Sequence, residues 1–210
     1  MPGAPPKQGD KKPLDLRQAI NRSFGPTIMK CYEIFSKLSP ELTNEIFGYL
    51  LESEKAVYRA VIQNVASRRK LRPVFIERKP RNERHAWLQQ ALSIKGADDL
   101  ATQLFQIWLL GAHREMICEF LDSLAIAHDG KGVVENLPSE PPVEQLSKTI
   151  SKLLENHSPE VVAVYLHAFQ AMDDTGWSVL NDLLANDPRL VLERTRREKE
   201  GAEGEEDTEK

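Results

Sequence analysis

Apolar side chains recur every three or four positions through most of the middle of this chain, and that period predicts helices. After Ser39-Pro40-Glu41, one face is marked by Leu42, Ile46, Phe47 and Leu50, and the next by Tyr58, Val61, Ile62 and Val65. The same order returns after Ser158-Pro159-Glu160 at a constant offset of 119 residues, the difference between 158 and 39. Leu42 then pairs with Val161, Ile46 with Tyr165, Phe47 with Leu166, Leu50 with Phe169, Tyr58 with Trp177, Val61 with Leu180, Val65 with Leu184 and Leu71 with Leu190. A phase kept across an intervening turn points to a repeat rather than to two unrelated amphipathic helices.

A third version lies between them at an offset of 58 to 59 residues. It places Leu100, Leu104, Phe105 and Trp108 on one helix and Ile117, Phe120, Leu121 and Leu124 on the next, without the Ser-Pro-Glu opening. Each version is preceded by a further amphipathic stretch, through Cys31, Ile34, Phe35 and Leu38, through Trp87, Leu88, Ala91 and Leu92, and through Leu146, Ile150, Leu153 and Leu154. Three related three-helix units are therefore expected, over 28–68, 82–126 and 143–190. They make up a single domain over 28–192, between tails at 1–27 and 193–210.

Local chemistry agrees with these starts. Ser39 and Ser158 suit the N-cap, Pro40 and Pro159 the first helical position, and Glu41 and Glu160 the positive end of the helix dipole. Gly111 and Gly176 fall near the junctions between second and third helices. Only Pro73–Glu77 alternates in the manner of a strand, so the expected class is all-α. The units would stack as a short α-solenoid, similar in kind to HEAT-like repeats, or gather into a compact helical bundle.

Leu38-Ser-Pro-Glu-Leu-Thr-Asn-Glu-Ile-Phe-Gly-Tyr-Leu50 resembles the opening of an F-box, which would imply a ubiquitin-ligase adaptor. The resemblance covers thirteen residues. The later Cys- and Trp-containing part of that pattern is missing between Ala56 and Arg69, so the adaptor function is not carried over.

Composition bounds the setting. The chain has 210 residues, 40% of them hydrophobic, enough for one core with tails. The first 27 residues are rich in proline and lysine and poor in large apolar side chains, so burial cannot offset their ordering entropy. From Glu193 onward the chain is a run of charge ending in acid. The most apolar block, Ile107–Leu110, is far too short to span a bilayer, so no membrane is expected. Cys31 and Cys118, both within apolar helical patterns, suit a reducing cytoplasm, and neither metal nor cofactor is implied.

The net charge of −4 conceals a basic connection between the first two units. Arg68, Arg69, Lys70, Arg72, Arg78, Lys79, Arg81 and Arg84 fall within seventeen residues, opposed only by Glu77 and Glu83. Such a segment can serve an anionic or protein partner or the phosphates of nucleic acid, or it can be a solvated helix end. The acidic balance and the lack of interleaved aromatics place nucleic acid second.

Other chemistry is thin. His128-Asp-Gly-Lys-Gly132 has neither the spacing nor the strand of a phosphate loop and is expected to be a turn. His113, Glu115 and Glu119 form the densest histidine–carboxylate group, but 113 and 115 face different sides of a helix. His167 sits among apolar residues and is expected to be buried and hydrogen-bonded. No cysteine with a placed base and no serine elbow is visible, so no catalytic residue is expected. Trp87, Trp108 and Trp177 occupy repeat positions and are expected in the core. The resulting expectation is a non-enzymatic interaction or scaffold module for an unidentified protein partner, with anion or nucleic-acid binding through 68–84 as the alternative.

Overall fold

Proline sets the starts of several helices in the computed structural model, which describes residues 28–172 and 176–192. The expected tails, 1–27 and 193–210, lie outside the described residues. The helices are α1 (Cys31–Phe35), α2 (Pro40–Ser53), α3 (Lys55–Arg68), α4 (Pro73–Glu77), α5 (Arg81–Leu92), α6 (Asp98–Ala112), α7 (Arg114–Ser123), α8 (Val143–Asn156), α9 (Pro159–Met172) and α10 (Ser178–Asn186). A 3₁₀ turn at Lys95–Ala97 leads into α6. Pro40, Pro73 and Pro159 are first helical residues, where no hydrogen-bonded N–H is lost, and Pro80 and Pro142 directly precede α5 and α8. Among the described residues there is no strand.

Helix ends are closed by side chains from elsewhere in the chain. Ser39 Oγ accepts the Leu42 N–H at 3.1 Å, while the Glu160 carboxylate of α9 accepts the Ser39 N–H and Oγ–H, both at 2.7 Å. Asp98 accepts the Tyr32 N–H in the first turn of α1 at 3.1 Å. At the other end of α1, the Gln89 amide donates to the carbonyls of Phe35 and Leu38 at 3.0 and 2.9 Å. Glu140, in the connection before α8, accepts the Val179 and Leu180 N–H groups at the start of α10 at 2.5 and 3.4 Å. These bonds satisfy groups that a helix end leaves orphaned.

α9 is the central element: every residue from Val161 to Gln170 is buried, as a helix surrounded on all sides requires. α1 packs on α5, α6 and α9, and α8 packs on α7, α9 and α10. Phe35 stacks on Phe105 with centroids 4.3 Å apart, and Phe120 meets Tyr165 and Phe169 edge-on at 5.4 and 5.6 Å. Because α1 lies directly on α9, the first and third segments touch, and the described helices form a compact all-α bundle. In a linear stack each unit meets only its neighbours.

The 119-residue correspondence is visible in the helices. α2 and α9 each hold fourteen residues, and their first and last residues differ by that offset. The aligned pairs from Leu42/Val161 to Val65/Leu184 are buried on both sides. The correspondence ends at Leu71/Leu190, where Leu190 is fully buried and Leu71 is 40% exposed. Here the chain leaves α3 through Lys70 in a left-handed conformation (φ 54°), with the Leu71 N–H bonded to Ala66 O at 2.9 Å, and turns Leu71 outward.

Two expectations are corrected. Pro73–Glu77 is a helix, α4, held down by Ile76 as its one buried residue; five residues are too few for either period to decide. Trp108 and Trp177 are core residues, but Trp87 is half-buried, with the Arg69 guanidinium 4.3 Å from its ring centroid. Gly111 does lie near the α6–α7 junction, in the last turn of α6, and a Cβ there would come within 1.8 Å of Tyr49 Oη, so bare backbone is what lets α2 approach. No helix among the described residues is long and apolar enough to cross a membrane.

Candidate functional site

The basic connection folds into a corner made by the end of α3, all of α4 and the start of α5. Four of its eight cations are engaged within the chain. Arg69 covers Trp87, Lys79 pairs with Glu83, Arg81 reaches Glu52 at 3.3 Å, and Arg84 donates to Glu77 O at 2.8 Å. These contacts orient the corner but contribute little stability where exposed. Arg68, Lys70, Arg72 and Arg78 point into solvent, on both sides of α4.

Between those cations lies an apolar ridge that the sequence did not announce. Leu71, Val74 and Phe75 are 40%, 40% and 60% exposed, the first just before α4 and the other two within it. α4 is short and packs chiefly on α3, and among the described residues no element covers the side opposite Ile76. The other exposed large apolar side chains, Ile94, Val133, Val143 and Val191, are scattered singly along the chain, whereas these three fall within five residues.

A second polar grouping joins all three segments. A depression of about 570 Å³ is lined by Gly111, His113, Arg114, Glu115 and Met116 from the α6–α7 corner and by His157 before α9. His113 Nε2 meets Glu45 of α2 at 3.1 Å. Glu119 accepts from His157 Nε2, Asn156 Nδ2 and Lys152 Nζ at 3.0, 3.0 and 3.1 Å, and the His157 and Lys152 bonds hold its carboxyl below the usual range. Glu115 lies apart from that network, so His113, Glu115 and Glu119 do not converge on one point. Among the described residues no set of three or more His, Cys, Asp or Glu is placed to hold a metal ion.

Cys118 does have a base beside it, contrary to the sequence reading, because the chain reverses at Ala125 and lays His128 over α7. The Cys118 Sγ is 4.0 Å from His128 Nδ1, and His128 Nε2 is 3.0 Å from Asp122 Oδ1. This spacing is that of a thiol nucleophile with base and orienting acid. Two features hold the thiol neutral. The Gly130 N–H already donates to Nδ1 at 3.1 Å, which occupies the one lone pair available to take a proton. Burial, with Asp122 next, pushes the thiol pKa up. The group is a clasp that fastens the 128–133 turn to α7.

Within that turn, the Asp129 carboxylate accepts the Lys131 and Val133 N–H groups at 2.7 and 3.0 Å and is held low by them. The backbone donors a phosphate would need are thus already taken by an internal carboxylate, and the segment is a turn.

Two histidines are buried and neutral. His167 Nε2 bonds Leu190 O at 3.1 Å, as its apolar surroundings led one to expect. His85, fully buried beside Phe47 and Tyr58, bonds Asn44 through Nδ1 at 2.9 Å. Burial lowers both pKa values to about 4.

The chain matches no protein-family model, no curated protein and no solved structure. The thirteen-residue likeness to an F-box opening therefore has no support beyond those residues, and in the fold they form the capped start of α2.

Proposed function

We propose that the protein is a non-enzymatic interaction module that docks a protein partner on the corner around α4. The observation that carries this reading is the exposed group of Leu71, Val74 and Phe75 flanked in sequence by four cations that have no partner among the described residues. An apolar anchor ringed by charge is the usual anatomy of a binding patch. The matching helices α2 and α9 support the finer reading that the bundle grew from related three-helix units. Its two free cysteines suit a reducing compartment such as the cytoplasm.

Affinity capture from a native lysate tests this function with the full chain and with a Leu71→Ser/Phe75→Ser variant as baits. Both residues are exposed, so the variant should keep its helical circular dichroism and its melting temperature. A protein held by the wild type and released by the variant is the expected result. Identical capture by both baits would overturn the assignment of the function to this corner.

A further inference from the structure

Resting on that reading, we propose that the α4 corner recognises an acidic protein segment that carries apolar side chains along one face. The chemistry of the corner selects this partner on two counts. Arg68, Lys70, Arg72 and Arg78 give an excess of positive charge that no carboxylate of the described fold neutralises, and in sequence they flank Val74 and Phe75 on both sides. A bound segment must therefore be acidic at its edges. The ridge itself asks for aliphatic or aromatic contact, because Leu71 and Val74 gain nothing from phosphates or sugars.

The same features argue against nucleic acid. Among the described residues only one exposed aromatic, Phe75, could stack on a base, since Arg69 already covers the face of Trp87. The chain's own acidic end is a poor occupant as well. From Glu193 to Lys210 it has no apolar side chain larger than that of Ala202, so it could answer the cations and leave the ridge bare.

Geometry fits a helical ligand. Leu71, Val74 and Phe75 are exposed within five residues of chain, and an amphipathic helix offers its own side chains at i, i+3, i+4 and i+7 to an apolar patch of that size. Acidic residues on the flanks of that helix would reach the cations on either side, steering association and fixing orientation.

Fluorescence anisotropy with the full chain tests the proposal using four labelled probes. One is a peptide with leucine and phenylalanine at i, i+3, i+4 and i+7 and glutamate elsewhere. The second has the same composition with the apolar residues scattered, the third has lysine for glutamate, and the fourth is a single-stranded oligonucleotide. The first should bind best, with affinity falling about tenfold or more between about 50 mM and about 300 mM salt. Phe75→Ser and Arg72→Glu should each weaken it by about tenfold or more. Tighter binding of the oligonucleotide, equal binding of the lysine peptide, or indifference to both substitutions would overturn it. If lysate capture still depends on Leu71 and Phe75 while the acidic peptide fails, the interaction module stands and this partner class falls.

Discussion

The carboxylate of Glu160 accepts two hydrogen bonds from Ser39, one from the backbone N–H and one from Oγ–H, each at 2.7 Å. The two Ser-Pro-Glu openings, 119 residues apart in sequence, thus meet, and the acid of the second completes the cap of the first. Ser39 Oγ both donates to Glu160 and accepts from Leu42, so losing either side chain strands a polar group. Glu160→Ala should cost about 1–3 kcal/mol, and a double-mutant cycle with Ser39→Ala should show coupling of roughly 0.5–3 kcal/mol. Urea unfolding of the four proteins measures it; strict additivity would dissolve the link.

Ala125 and Lys70 hold left-handed conformations, with φ of 55° and 54°, at the ends of α7 and α3. In each case the following N–H reaches back five residues, Ile126 to Leu121 O and Leu71 to Ala66 O, both at 2.9 Å. Glycine is the residue this helix stop favours. Ala125→Gly should raise stability by about 0.5–1 kcal/mol, read as a higher urea midpoint at unchanged slope.

The three tryptophans should separate by environment. Trp108→Ala and Trp177→Ala remove buried rings and should each cost about 3–5 kcal/mol. Trp87→Ala loses a half-buried ring and its Arg69 contact, and about 1 kcal/mol is expected. Thermal melts would show the difference as a large drop for the first two and a small one for the third.

Acid should destabilise the fold through His85 and His167 before the carboxylates respond. In the folded chain both titrate near pH 4, against the usual 6.5. Between those values the unfolded chain binds more protons, so stability rises with pH and is lost as pH falls from about 6.5 to about 4. Each group accounts for up to roughly 3 kcal/mol of that loss. Urea midpoints from pH 7 to pH 4 should decline, and His167→Gln should flatten part of the decline. The Glu119 and Asp129 carboxyls, held below their usual values of 4.5 and 3.8, add to the loss from the lower end of that window downward.

What the sequence made legible was local chemistry. Serine caps, first-turn prolines and a 3.6-residue period placed the main helices, because these signals lie within a few residues of the structure they cause. Glu140, Asp98 and Glu160 were not legible as caps: each closes a helix far away in sequence, and nothing local marks its partner. Cys118 and His128 stood ten residues apart across an unreadable reversal at Ala125. The basic residues were plain, but the ridge among them was not. Leu71 carried the repeat's apolar pattern into a place where the chain had already turned away, and Val74 and Phe75 looked like strand.

α1, of five residues, cannot persist on its own propensity, and its two ends are tied by Asp98 and by Gln89 while α9 covers its side. During synthesis, therefore, the first described helix would have to wait for chain made long after it, up to about Met172. A ribosome-tethered fragment stopped before Asp98 should leave the Cys31–Phe35 amides open to hydrogen exchange, and their protection should arrive only with the emergence of α9. The first described helix is organised by residues far downstream of it.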